Sequence, residues 1–263
     1  MIPYEDLTRR ISSWLYANLT ELTQGPHNNP SYFEVEAKVG TIISKSTGHR
    51  LKLPVDTETL VNTDMLSGSV TFEPGVESLQ HQAYVRYLNA CMQQIAGDAR
   101  GAPQAPTMAH SHTWEKDVFY QGPTKNDNHV RVTVDLKTNQ VVNRITKIRI
   151  KDLFVHCPGS KFDWRLSLSY EKPVEESQPT DQVVLTREKD RQSFRYMNSR
   201  VDLTQVTGSE NKSYEIEVEL DIKDTMQQID LARAGEPNEF EDSVRAFIDN
   251  LRILVRRGGL DLA

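Results

Sequence analysis

The chain has 263 residues, with 37 acidic against 31 basic side chains and a formal net charge of −6. Its 37% apolar and 26% charged content, with only 12 Pro and 13 Gly, excludes a disordered, collagenous or low-complexity chain and allows one large or two ordinary domains. No window approaches eighteen apolar residues, so no membrane span is expected; the start has no basic patch leading into an apolar stretch, so no secretory signal is expected. Cys91 and Cys157 are too few for a disulfide framework or a zinc site, which points to a reducing compartment, cytosol or nucleus. Net acidity argues against broad electrostatic binding of duplex nucleic acid. A polyanionic substrate would need a concentrated basic site.

In chain order, Pro3 to Leu22 has helical spacing, with Leu7, Ile11, Leu15, Leu19 and Leu22 in one stripe and Gly25-Pro26 as the stop. A strand is expected at Tyr32–Ile43, then a linker at Thr47–Ser69. A second helix is expected from about Pro74 to Ile95, with Val76, Leu79, Ala83, Leu88, Cys91 and Ile95 near one face. The stretch Gly97–His112 reads as a linker. His110-Ser111-His112 lies in it without nearby carboxylates, which argues against metal ligation. Period-two alternation then predicts strands near Thr113–Gln121, His129–Lys137, Val141–Val155, Phe162–Lys172, Val183–Tyr196, Arg200–Thr204 and Ser213–Ile222. Turns are expected at Lys137-Thr138-Asn139-Gln140 and Pro158-Gly159-Ser160, and a linker at Lys172–Gln182. Helices at Thr225–Ala234 and Asn238–Arg256 follow, the second carrying Phe240, Val244, Phe247, Ile248, Leu251 and Val255 and closed by Gly258-Gly259. Seven or eight strands with short turns predict an α+β fold, an antiparallel barrel or sandwich flanked by helices.

The polar faces of these strands carry the functional signal. Glu34, Glu36 and Lys38 share one face, opposite Phe33, Val35, Ala37 and Val39. Glu215, Glu217, Glu219 and Asp221 share another, opposite Ile216, Val218 and Leu220. Residues two apart on a strand sit about 7 Å apart, so at an effective dielectric near 20 each like-charged pair repels by roughly 2 kcal/mol. That suggests a compensating cation. Basic faces also occur: Arg187, Lys189 and Arg191; Lys147, Arg149 and Lys151; and Arg131 and Arg165 on two more strands. If the apolar faces pack outward under the helices, the charged faces converge on a hydrophilic lumen, acidic on part of its wall and basic on the rest. Carboxylates suit Mg²⁺ or Mn²⁺, and lysines and arginines suit phosphates.

Glu34-Val35-Glu36-Ala37-Lys38 and Glu215-Ile216-Glu217-Val218-Glu219 resemble the two glutamate motifs of the triphosphate tunnel metalloenzymes. The strand Arg187-Glu188-Lys189-Asp190-Arg191, followed by Arg200-Val201-Asp202, resembles the fungal RNA triphosphatase branch of that family. One E-x-E is a weak signal; two of them bracketing R-x-K-x-R in this order are a strong one. The resemblance implies a single-domain, eight-stranded antiparallel tunnel, spanning residues 1–263 with its helices. It implies removal of the γ-phosphate from the 5′-triphosphate end of nascent mRNA in the nucleus. Residue by residue, it implies Glu34, Glu36 and Glu219 as ligands of Mg²⁺ or Mn²⁺, and Arg131, Lys147, Lys189 and Arg191 as phosphate holders. Glu171 would orient the attacking water, and Arg165, Arg187, Asp202, Glu215 and Glu217 would support the walls. It further implies a homodimer linked to mRNA guanylyltransferase and to the RNA polymerase II C-terminal domain. Two other readings stay open: a tunnel enzyme for NTP, thiamine triphosphate or tripolyphosphate, and a non-catalytic scaffold docking the phosphorylated polymerase tail. The intact pair of glutamate motifs argues against the scaffold as sole function.

Overall fold

The computed structural model describes residues 5–66, 68–98, 106–122, 128–175, 182–208 and 211–258. Pro3 and Gly259, and parts of the two linkers expected at Gly97–His112 and Lys172–Gln182, lie outside these residues. The elements in order are α1 (Asp6–Leu22), a 3₁₀ turn (Pro30–Tyr32), β1 (Phe33–Ser44), β2 (Thr59–Val61), α2 (Thr63–Leu66), β3 (Val70–Pro74) and α3 (Ser78–Asp98). There follow β4 (Ala109–Tyr120), β5 (Val130–Asp135), β6 (Val141–His156), β7 (Asp163–Pro173), β8 (Val183–Tyr196), β9 (Ser199–Thr207), β10 (Lys212–Leu220), α4 (Ile222–Ala234) and α5 (Phe240–Arg257).

Eight antiparallel strands close into a ring in the order β1-β7-β6-β5-β4-β8-β9-β10, and β10 returns to β1 to complete it. Closure follows from the two glutamate strands. Each carries an apolar face that is fully or nearly fully buried, at Val35, Ala37 and Val39 on β1 and Ile216, Val218 and Leu220 on β10. Those faces meet Ile11, Leu15 and Leu19 of α1 and Val244, Phe247, Ile248 and Leu251 of α5, all fully buried. Each such side chain contributes roughly 1.5–3 kcal/mol through removal from water, so the apolar faces must turn outward under the helices. Period-two geometry then turns the charged faces inward. The helices cover the side of the ring formed by β1, β7, β9 and β10.

The turns carry the expected chemistry. Asn139 has φ 56°, and the Asp135 carboxylate accepts from the N–H groups of Lys137 (2.8 Å) and Thr138 (2.7 Å), fixing the β5–β6 hairpin. At Pro158-Gly159-Ser160 the Ser160 N–H donates to the Cys157 carbonyl at 3.0 Å.

Five expectations are corrected. The stretch Thr47–Ser69 contains β2 and α2, and β3 follows it, so α3 starts at Ser78 rather than near Pro74. These strands are held by pairing, β2 on β6 and β3 on β1, and are too short to show a period. At the β3 crossing, a Cβ on Gly40 would lie 2.2 Å from the Glu73 carbonyl oxygen, so only glycine fits there. Leu79 is 75% exposed, and α3 instead buries His81, Ala83, Tyr84 and Leu88. His110-Ser111-His112 is the first part of β4, paired with β8, and His112 Nε2 lies 2.5 Å from the Asp190 carboxylate. Alternation had no apolar residue to register there. A register shift in β6 between Arg149 and Lys151 separates Lys151 from the face of Lys147, and Lys151 donates outward to Asn18 of α1 at 2.5 Å. Asp221 leaves the face of its three glutamates to cap α4, accepting from the N–H groups of Lys223 and Asp224.

Candidate active site

The ring encloses a cavity of about 540 Å³. Eleven of the thirteen site residues expected from sequence line it: Glu34 and Glu36 from β1, Arg131 from β5, Lys147 from β6, Glu171 from β7, Arg187, Lys189 and Arg191 from β8, and Glu215, Glu217 and Glu219 from β10. The two others stand in the wall. Asp202 is buried on β9 and accepts from Arg191 at 3.0 Å and from Arg200 at 3.1 Å, so it aims both guanidinium groups. Arg165 is buried on β7 opposite Lys38, 3.9 Å from Asp152 and over the Phe72 ring, and acts as filling beneath the lumen rather than as lining.

The acidic cluster is set by register. Glu36 stands directly opposite Glu219 across β1 and β10, and Lys38 opposite Glu217. Directly opposed side chains are about 5 Å apart at Cβ, so Glu34, Glu36 and Glu219 form one crowded group. Lys147 contacts Glu34 and lies 3.3 Å from Glu36 and 3.6 Å from Glu171. Lys38 bonds Glu217 and lies 3.6 Å from Glu215 and 3.8 Å from Glu36. Burial, with the neighbouring Glu36 carboxylate, pushes Glu34 up to about 8 despite Lys147. Burial also raises Glu219, with Asp202, Glu217 and Glu36 adding to it against Arg200. Glu217 is the exception: burial works against its charge, but Lys38 and Arg191 outweigh it and hold the carboxyl far below its ordinary value.

The opposite wall is basic. The Lys189 ammonium lies 2.6 Å from an Asp117 carboxylate oxygen, and Arg187 lies 3.9 Å from the same carboxylate, which is fully buried and accepts from Thr133 at 2.7 Å. Burial and neighbouring Arg191 lower the Lys189 ammonium, which Asp117 opposes. Arg191 bridges Asp202 and Glu217, at 3.0 and 3.8 Å, and those carboxylates overcome burial to keep it firmly charged. Arg131 donates to Glu171 at 3.1 Å.

Sequence reasoning assigned no role to Lys38, Glu115, Asp117 or Arg200. Lys38 and Arg200 stood inside the quoted motifs. Glu115 and Asp117 are two apart on one face of β4, a same-sign pair of the kind used to find the other strands, but next to Lys116 and Lys189 only the fold shows what they pair with.

Carboxylates crowded on one side, with one held partly protonated, and fixed cations on the other are suited to a divalent cation and a polyphosphate bound together. The donors are all carboxylate oxygens, the chemistry a hard cation takes, and the surplus negative charge that lifts Glu34 is what such an ion would relieve. Among the described residues no three carboxylates close on a common point as they stand, with Lys147 and Lys38 lying between them.

The family described as "mRNA capping enzyme, beta chain" matches residues 1–258. The chain is 32% identical over 258 residues to mRNA-capping enzyme subunit beta of Schizosaccharomyces pombe, covering 95% of this chain and 81% of that protein. It is 34% identical over 260 residues to the subunit beta of Yarrowia lipolytica, covering 97% of this chain and 62% of that protein. The solved structure of S. pombe Pct1 RNA triphosphatase in complex with the Spt5 CTD superposes with a TM-score of 0.86 at 31% identity, covering 97% of this chain and 96% of that one.

Proposed function

We infer that this chain, which belongs to the mRNA capping enzyme beta-chain family, is an RNA 5′-triphosphatase that hydrolyses the γ-phosphate from the 5′-triphosphate end of nascent mRNA, the first step of cap formation. The observation that carries the reading is one closed lumen in which Glu34, Glu36 and Glu219 face Arg131, Lys189 and Arg191. Phosphoryl transfer spreads negative charge over the γ-oxygens and leaves the protein mainly positioning and electrostatics to supply. Arg131, Lys147, Lys189 and Arg191 hold those oxygens. Glu171, tied to Arg131 and Lys147, orients the attacking water. Arg187, Asp202, Glu215 and Glu217 fix the cations in place, and Arg165 supports the floor. Glu34, Glu36 and Glu219 would hold Mg²⁺ or Mn²⁺, which supplies Lewis acidity at a γ-oxygen. Capping supports a nuclear site of action and a guanylyltransferase partner. The Spt5 CTD bound by the fission-yeast relative supports docking of a transcription-complex tail, for which we propose the RNA polymerase II C-terminal domain; we propose a homodimer as the working unit.

The test is γ-phosphate release from a short triphosphate-ended RNA with Mg²⁺, then Mn²⁺, then chelator. Release with either metal and none with chelator supports the reading; hydrolysis of ATP or tripolyphosphate but not RNA would overturn it in favour of a small-substrate enzyme.

Glu34 gives this metal site a pH signature. Below about pH 8 the site binds an ion only by releasing the Glu34 proton. Mn²⁺ affinity measured by calorimetry is therefore expected to tighten by about tenfold per pH unit between pH 6 and 7.5, with one proton released per ion. In the metal-free protein the sign is opposite. The folded state holds this proton above the ordinary carboxylate range, so stability falls as pH rises from about 4.5 to 8. Glu34→Gln should flatten both trends; an unchanged pH slope in that variant would remove Glu34 from the site.

A further inference from the structure

The strands β4, β8 and β9 continue past the acidic cluster, and beneath them lies a second cavity of about 320 Å³. It shares the lining residues Glu115, Arg191 and Arg200 with the central lumen, so the two adjoin. The charge balance differs. Seven acidic and seven basic side chains line the lumen, whereas the side cavity has Arg191, Arg195 and Arg200 against Glu115 alone. Arg195 and Arg200 stand directly opposite each other across β8 and β9, two like charges that Asp221 on one side and Asp202 and Glu219 on the other partly offset. Arg200 is engaged with Asp202 and Glu219. Arg195, about half exposed at the rim, spends one donor on Asp221 at 3.1 Å and has others to offer. Hydroxyls of Ser111, Thr113 and Ser193 complete the wall, and Thr113 Oγ1 and Arg191 Nε are buried without a hydrogen-bond partner among the described residues.

We propose that this side cavity is a binding site for the first internucleotide phosphate of the RNA strand, with Arg195 as the residue that favours a polynucleotide over a free triphosphate. The proposal rests on the RNA triphosphatase reading and adds where the strand leaves the tunnel. Tripolyphosphate has nothing beyond its third phosphate, and a nucleoside triphosphate ends in an uncharged nucleoside. Only RNA continues with a further anion, and arginines with neighbouring hydroxyls are the groups that hold phosphate and sugar oxygens. Arg200, which lines the cavity, stands opposite Glu219 of the acidic cluster, so a strand whose terminal phosphates lie against that cluster can reach the cavity along Arg200.

The experiment compares kcat/KM for tripolyphosphate, ATP, the triphosphate dinucleotide pppApA and a five-residue triphosphate RNA, in the full chain and in Arg195→Ala, Arg195→Glu and Arg195→Lys. In the unsubstituted protein the preference is expected to appear between ATP and pppApA, the step that adds the phosphate, with little further gain in the longer RNA. Arg195→Ala should lower the ratio of RNA to ATP kcat/KM by about five- to tenfold, through KM, as expected for loss of a charged hydrogen bond at a partly exposed site. Arg195→Glu should lower it further, and Arg195→Lys should restore part of it. The salt dependence separates this from a structural effect: the slope of log KM for RNA against log salt should fall by about 0.7 in Arg195→Ala. If RNA and ATP are affected equally in all three variants, or the salt slope is unchanged, the site is not a phosphate subsite. If the unsubstituted protein releases no phosphate from triphosphate RNA, the functional reading itself falls, and the subsite with it.

Discussion

Glu36→Ala, Glu34→Ala and Glu219→Ala are each expected to lower γ-phosphate release by about a thousandfold or more while the protein stays folded. The size follows from losing several kcal/mol of metal-borne charge stabilisation at 1.36 kcal/mol per tenfold. Folding should survive because the cluster is over-supplied with negative charge. Removing Glu34 takes away a carboxyl that burial and Glu36 already disfavour as an anion, so Glu34→Ala should melt no lower than the unsubstituted protein above pH 7. Glutamine at these positions keeps shape but not charge and should not restore turnover. Activity near the unsubstituted level in any one variant, with metal present and folding verified by circular dichroism, would remove that residue from the essential ligands.

The basic wall gives the second large effect. Arg191→Ala should lower kcat by a hundredfold or more, on the order of the roughly 3 kcal/mol lost with one transition-state donor. Arg191→Lys should recover little, because the guanidinium reaches Asp202 and Glu217 together, and a lysine offers a single point of charge. Lys189→Ala should lower kcat as far, but it also takes the nearest cation from the fully buried Asp117, leaving it the Thr133 hydroxyl at 2.7 Å and Arg187 at 3.9 Å. Breaking such a buried pair costs about 3–5 kcal/mol, so this variant should also unfold at lower denaturant concentration. Arg191 is thus the clean test of the phosphate wall. Full rescue by lysine there would mean that charge alone suffices.

The ring and its inside-out polarity were legible in the sequence because the period-two pattern of β1, β7 and β10 is strict and the helix stripes of α1 and α5 have nowhere else to pack. Eleven of the thirteen expected site residues reach the lumen for the same reason: position on a strand fixes the face. What escaped depends on tertiary pairing. β2 and β3 have three and five residues and exist because β6 and β1 offer an edge. The β6 register shift that separates Lys151 from Lys147 has no sequence mark, since Lys147, Arg149 and Lys151 alternate without a break. Asp117 stands next to Lys116 in sequence and carries no mark there of burial. Only the fold shows it sealed under Lys189 and Thr133.

Thermal unfolding with paired ligands tests most directly whether the two charged faces line one site. A ligand that binds only the folded state adds RT ln(1 + [L]/Kd), about 2.7 kcal/mol at a hundred times Kd. At about 2–4 °C per kcal/mol, that raises Tm by roughly 5–10 °C. Mn²⁺ and inorganic tripolyphosphate together should raise Tm by more than the sum of their separate shifts, because each neutralises the wall that repels within itself. Glu36→Ala should lose the metal-dependent part and Arg191→Ala mainly the phosphate-dependent part. Two strictly additive shifts, or a melting curve that neither ligand moves at saturation, would contradict a single shared lumen site.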